Sequence, residues 1–530
     1  MTEQTGVSPS LRYSALAGAV AGLSGIAVSH LLTNALNARA TPVQAVAESV
    51  ISLTPGPVAE ALISVVGRKD KPILVAGVTL AVIGLGAVAG MLTRRSRTGA
   101  QLLLAAMGVL ALLALMSGSD LTAAGLIPLA AGVATWFVVL AVLVDAVPPE
   151  PTQPPEPPGP AGAAGATVAG AGGAAAGEPS RRSFLLKAGG VTVAALVVAG
   201  GARLFGQGRR AVETARQLLR LPVSDGTVPA EATLELKGAT PWRVPNADFY
   251  RIDTALVLPA VDPAEWRLRI HGMVERELVL TYDDLLARNL TEAWVTLCCV
   301  SNPVGGDLIG NAWWSGVRVA DLLAEAGVSS DADAVLQTSQ DDWTCGTPIE
   351  ALTDGRDALL ALAMNGEPLP IDHGFPVRMV VPGLYGFVSA TKWLVDLEVT
   401  RFENFSAYWT ERGWSARGPV KTQSRIEVPA NGATVAAGPT RIGGHAWAQH
   451  TGIEKVEYRL DGAAWQRAEL GGVPSLDTWV QWAATVELAP GEHTLAVRAT
   501  DRSGYTQTSA RTDVVPDGAA GWDSIDVTAQ

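Results

Sequence analysis

Four apolar runs, at about 13–33, 73–92, 101–117 and 121–146, constrain this chain more than anything else in its 530 residues. Each is close to the ~20 residues that a helix needs to cross a bilayer core. The runs are nearly free of charge, which sets them apart from core helices of a soluble domain. Between the first two, "TPVQAVAESVISLTPGPVAEALISVVG" mixes polar and apolar residues with proline and reads as an interfacial or re-entrant segment. After Val147 the composition changes to "PPEPTQPPEPPGPAGAAGATVAGAGGAAAGEP", which cannot bury enough apolar surface to fold and is a linker over 148–179. The spans therefore fill 1–147, and the later part of the chain, which holds most of the tryptophan, must fold separately.

The next segment, "SRRSFLLKAGGVTVAALVVAGGARLFG" at 180–206, resembles a twin-arginine export signal. Arg181 and Arg182 precede Ser183, Phe184 and Leu185, and an apolar stretch behind them is long enough to stay as a fifth span. The resemblance implies cytoplasmic arginines, hence a cytoplasmic linker and, counting back four spans, a cytoplasmic N-terminus. The basic loop "TRRSRTG" at 93–99 then lies inside, as the positive-inside rule wants, whereas "GRKDK" at 67–71 lies outside against it. Everything after about Phe205 is expected to be extracytoplasmic, in a multi-pass protein of the cell membrane.

A connector over 207–240 leads to 241–420, where short strands mix with helical stretches such as "VRVADLLAEAGV", an α+β pattern. Over 421–518 strands alternate: "KVEYRL" puts Val456, Tyr458 and Leu460 on one face before the turn residues Asp461 and Gly462. "HTLAVRATD" repeats the device after Pro490-Gly491, and the spacing suggests an immunoglobulin-like sandwich followed by a tail at 519–530. A net charge of −12 argues against nucleic acid as a partner. Three cysteines make no disulfide framework. Two of them, Cys298 and Cys299, stand side by side in "TLCCVSN", where an extended backbone turns neighbouring Cβ atoms apart. One thiol with a chemical task and one bystander is the reading. Cys345, in "WTCGTP", is structural, and zinc is excluded because no His or Cys lies at ligand spacing nearby.

"VTLCCVSN" resembles the "VTLQCAGN" segment of the sulfite oxidase family, whose cysteine binds molybdenum. "MNGEPLPIDHGFPVRMVVPGLYGFVSATKWL", at 364–394, matches that family almost word for word, and "GGHAWAQHTGIEKVEYRLDGAAW" is similar to its C-terminal sandwich. The resemblance spans about 240–520. It implies a molybdopterin-dependent oxidoreductase with Cys299 as catalytic metal ligand. A soft thiolate suits a high-valent metal that already has sulfur ligands. His373, Arg378, Ser389, Ala390, Thr391 and Lys392 fall at cofactor-contacting positions of the family. So do Tyr250, Arg251 and Thr254 in "ADFYRIDT", and Ser339 and Asp341 in "QTSQDD". One extra residue before Lys392 blurs the register of Thr391 and Lys392. The resemblance also implies dimerisation through the sandwich.

The chain departs from the family at the substrate. Where the family has pocket arginines, Ile252 and Pro303 or Val304 stand here, and Leu362 replaces a tyrosine. Sulfite would need such donors to offset its lost hydration, so a more apolar pocket and another substrate are expected. No haem is expected in this chain, because only His30 lies in a span and no Cys-x-x-Cys-His occurs. Electrons then pass to or from a separate partner. The preferred reading is two-electron oxo transfer with a small-molecule oxo donor or acceptor. Its rivals are a methionine-sulfoxide-type S-/N-oxide reductase, a sulfite dehydrogenase, and an anchored scaffold or adhesion protein with a degenerate cofactor domain.

Overall fold

Apolar residues without strand alternation satisfy their backbone most readily as helix, and the described residues of the first unit, Met1–Arg210, are mainly helical. The computed structural model describes residues 9–36, 38–54, 58, 70–117, 123–149, 180–205 and 207–530. Its helices are α1 (Leu11–Ala35), α2 (Pro42–Leu53), α3 (Asp70–Leu92), α4 (Arg97–Met116), α5 (Ala123–Val144) and α6 (Arg181–Phe205). Five of these, all but α2, are long and apolar enough to cross a membrane. Helix α4 starts earlier than its apolar run because Ser96 caps it, its hydroxyl accepting from the Gly99 N–H at 3.0 Å. The mixed segment begins as α2, where Thr41 and Gln44 form a capping box and Pro42 takes the first turn; residues 59–69, its second half, and the linker at 150–179 lie outside the described residues.

Small residues let these helices approach closely. A Cβ at Gly18 or Gly90 would run into the backbone of the facing helix, so α1 and α3 meet nearly backbone to backbone. Trp136 of α5 donates its indole N–H to the Gly22 carbonyl of α1 at 3.2 Å. The helix Gln207–Leu218 (α7) carries the boundary to the second unit, Ala211–Gln530.

The second unit begins with an irregular strap over 219–266 and continues with two five-stranded sheets. Their strands are β1 (Arg267–Gly272), β2 (Leu278–Thr281), β3 (Thr291–Cys298), β4 (Ile309–Arg318), β5 (Ala334–Ser339), β6 (Thr344–Pro348), β7 (Leu359–Met364), β8 (Glu367–Pro368), β9 (Arg378–Val380) and β10 (Leu394–Thr400). One sheet has the order β2-β1-β10-β5-β6, with β1 and β10 parallel; the other has β3-β4-β7-β8, with β9 also on β7. Strand β7, "LLALAM", is buried at every position, as an apolar run without alternation should be. The core gathers Trp266, Trp314, Phe375 and the β7 leucines.

The rest is a sandwich of strands β11 (Gln423–Val428), β12 (Ala433–Val435), β13 (Gly438–Trp447), β14 (Ile453–Leu460), β15 (Gln466–Arg467), β16 (Glu469–Leu470), β17 (Val480–Leu488), β18 (Gly491–Asp501) and β19 (Asp523–Ala529). The sheets run β11-β13-β17-β16 and β12-β19-β18-β14-β15. Asp461 and Gly462 both take positive φ, 50° and 72°, as a tight primed turn requires. Two expectations are corrected. Pro490-Gly491 joins strands of opposite sheets instead of closing a hairpin. And 519–530 is not a tail: β19 lies between β12 and β18, its Ile525, Val527 and Ala529 buried in the sandwich core. The alternation of "DSIDVTA" carried that signal, but the strand pairs with residues far away in sequence.

Candidate active site

Strand β3 ends where the cysteine pair begins, and the pleat sends the two thiols apart. Cys299, 8 % exposed, faces a cavity with about 860 Å³ of empty space, part of it open to solvent. Cys298, 2 % exposed, does not reach the cavity; its thiol points to the Cys299 carbonyl at 3.5 Å. Burial pushes both thiols up, and for Cys299 hydrogen bonds from Ser301 and Val300 oppose this. Cys345 is fully buried on β6, 3.2 Å from the Thr391 hydroxyl, and burial pushes it up to about 12. All three cysteines are free.

To the same cavity the segment around β9 supplies Arg378 and His373. The Arg378 guanidinium is buried and donates to the carbonyls of His373 at 3.1 Å and Ala390 at 3.4 Å, above the Trp314 ring. Among the described residues no carboxylate lies within ion-pair distance of it. Burial pushes its pKa down to about 10, so this is a desolvated cation with no balancing carboxylate among the described residues. His373 hydrogen-bonds the Asn246 carbonyl through Nε2 at 2.9 Å, which makes that nitrogen the donor and leaves Nδ1 as an acceptor. Burial, with Arg378 beside it, pulls His373 down to about 4. Lys392 pairs with Asp253 at 2.9 Å.

Tyr250, Thr254, Ser339, Asp341, His373, Arg378, Ala390 and Lys392 share the cavity with Cys299. Arg251, Ser389 and Thr391 do not line it. Arg251 lies half exposed on an ion pair with Asp372 at 2.7 Å. Ser389 turns inward to the Tyr385 carbonyl at 2.9 Å, and Thr391 to Cys345. Ile252 is on the wall as expected, but Leu362 is wholly buried in the core, and Pro303 and Val304 are off the cavity. Sequence reasoning missed Asp253 and an aromatic wall of Trp343, Phe387, Trp409 and Trp414. "AYWTERGWSARG" showed tryptophans at 409 and 414, but no periodicity there aimed them anywhere.

The donor set fits a molybdopterin. An unbalanced buried guanidinium suits its phosphate, and a buried thiol with a raised pKa becomes a thiolate only beside a strong cation such as a metal.

Residues 255–409 match a family model described as "Oxidoreductase molybdopterin binding domain", and 423–497 one described as "Bacterial Ig domain". The chain is 31% identical over 323 residues to sulfite oxidase of Gallus gallus, covering 52% of this chain and 70% of that protein. It is 36% identical over 157 residues to the uncharacterized oxidoreductase YuiH of Bacillus subtilis, covering 30% of this chain and 76% of that protein. Against mitochondrial sulfite oxidase of Mus musculus it is 33% identical over 271 residues, 43% of this chain and 49% of the relative. The chain thus spans about half the length of that mammalian relative.

Proposed function

Because this chain belongs to the sulfite oxidase family of molybdopterin-dependent oxidoreductases, we propose that it performs two-electron oxo transfer at a molybdenum held by Cys299, on a substrate other than sulfite. The observation that carries this is that Cys299 and the unbalanced Arg378 line the same cavity.

The bound group would supply the redox couple and the oxo exchange. The chain supplies place and charge. Cys299 would hold the metal. Arg378 would take the anionic end of the pterin, with Lys392 held near it by Asp253. His373, neutral at ordinary pH because of its burial, would accept a hydrogen bond through Nδ1. Tyr250, Thr254, Ser339, Asp341 and Ala390 would contact the pterin from the remaining walls. Arg251, Ser389 and Thr391 would support these contacts from behind.

Ile252, where the family has an arginine, and the aromatic wall support an uncharged or weakly polar oxo donor such as a sulfoxide or N-oxide. Leu362 no longer does, since it sits in the core. The five apolar helices and the arginine pair of α6 support a membrane-anchored protein with its second unit exported, exchanging electrons with a separate partner. Dimerisation through the sandwich belongs to the same reading.

Steady-state kinetics on cofactor-replete full chain, with artificial electron carriers, tests the substrate. Sulfoxide or N-oxide turnover is expected. Sulfite efficiency should fall orders of magnitude below ~10⁴ M⁻¹s⁻¹, because each missing charge-assisted hydrogen bond forfeits roughly 1.5–3 kcal/mol. Sulfite turnover at or above that efficiency contradicts the substrate assignment.

A further inference from the structure

The loop that carries Cys299 is closed on itself. The Cys299 N–H donates to the Leu308 carbonyl at 2.9 Å, and the Leu308 N–H to Asn302 Oδ1 at 2.9 Å. The far side of this ring is gripped by the sandwich, where Arg425 of β11 donates through Nη1 to the Gly306 carbonyl at 2.7 Å.

Arg425 is itself fixed. It is 4 % exposed and ion-paired with Glu427 on the same strand. Glu427 also accepts the Thr240 N–H at 2.6 Å and sits 2.9 Å from Nδ1 of the fully buried His445. Burial tends to push the Glu427 carboxyl up, but His445 and Arg425 hold it well below the usual carboxylate range. His445 stacks on Trp479 at 3.9 Å, and the Trp479 N–H donates to the Thr296 hydroxyl at 2.8 Å. Thr296 lies on β3, three residues before Cys299. The same cluster therefore holds the strand on one side of the thiol and the loop on the other. A buried ion pair contributes little net stability compared with apolar packing, but it fixes geometry. Arg425 does not line the cavity.

From this geometry we infer that Arg425, braced by Glu427 and His445, is a positioning residue for Cys299: the sandwich sets how the thiol is presented to the cavity. Its bearing on catalysis rests on the reading of Cys299 as the metal ligand. The positioning itself does not.

The test begins with cofactor-free full chain in detergent, labelled by a thiol reagent and read cysteine by cysteine with tandem mass spectrometry. Arg425→Met should speed labelling of Cys299 by about tenfold, the scale set by losing one charged hydrogen bond, while Cys345 keeps its rate. Arg425→Lys, which retains the Glu427 pair but not the forked reach to Gly306, should fall between; it also serves if the methionine variant does not fold. Equal acceleration at Cys299 and Cys345, or none at either, overturns the inference. In cofactor-loaded chain, Arg425→Met should alter the molybdenum(V) resonance and lower kcat with KM little changed. An unaltered resonance would contradict the link to the metal. Cys299→Ser is the separate arm for the underlying reading: if it leaves the resonance unchanged, the ligand assignment fails while the labelling result still stands.

Discussion

Arg378 and His373 show how burial changes the charge behaviour of ordinary side chains on a cavity wall. A desolvated guanidinium whose hydrogen bonds among the described residues go to carbonyls has a surplus of positive potential, and the neighbouring imidazole, already held neutral by its own burial, feels it. His373, at about 4 against an ordinary 6.5, is neutral in the folded chain where the unfolded chain is already protonated. Its contribution to stability is thus complete above pH 6.5 and is lost as pH falls towards 4. With ~1.36 kcal/mol per unit, the loss is at most roughly 3–4 kcal/mol. In cofactor-free protein, denaturant titrations should show this slope between pH 6.5 and 4, and His373→Gln should flatten it; an unchanged slope would contradict the buried neutral imidazole. The cysteines divide by the same geometry. Cys299→Ser should abolish turnover with the fold intact, whereas Cys298→Ser, away from the cavity, should cost on the order of 1 kcal/mol in stability and leave turnover standing. Equal loss of activity in both would reverse the assignment. The motif around 364–394 made His373, Arg378 and Lys392 legible in the sequence. Asp253 and the aromatic wall were not, because they reach the cavity only through tertiary packing of irregular segments.

Among the elements, α6 begins at Arg181, with Ser180 and Ser183 exchanging hydrogen bonds at its first turn and both arginines exposed. Phe184 is buried against Tyr13 of α1, ring centroids 5.2 Å apart, so the helix carries an exposed basic start and a packed apolar body. If the arginine pair is read by an export machine, Arg181→Lys with Arg182→Lys keeps the charge but removes the guanidinium pair. The second unit should then remain cytoplasmic while the preceding spans insert, as protease protection of vesicles would show. Normal export of the lysine variant would contradict the signal. The long apolar helices were legible because apolar runs need no partner to be recognised. Strand β19 was not, since "DSIDVTA" gains its meaning only from β12 and β18 on either side. Leu362 shows the converse: a resemblance can name a position without saying that the strand around it is buried on both faces, and here it is core.

At the scale of the whole molecule, a unit with five helices long and apolar enough to cross a membrane is joined in sequence to a unit whose sandwich holds the loop bearing Cys299. Its central claim is that Cys299 holds a molybdenum in that second unit. The direct measurement is metal and pterin analysis of purified full chain, combined with X-ray absorption at the molybdenum edge for the unsubstituted chain and for Cys299→Ser. The account predicts stoichiometric molybdenum with pterin, and one sulfur neighbour fewer at the metal in the serine variant. Absence of molybdenum from chain matured in a cofactor-producing host, or an identical sulfur shell in both proteins, would contradict it.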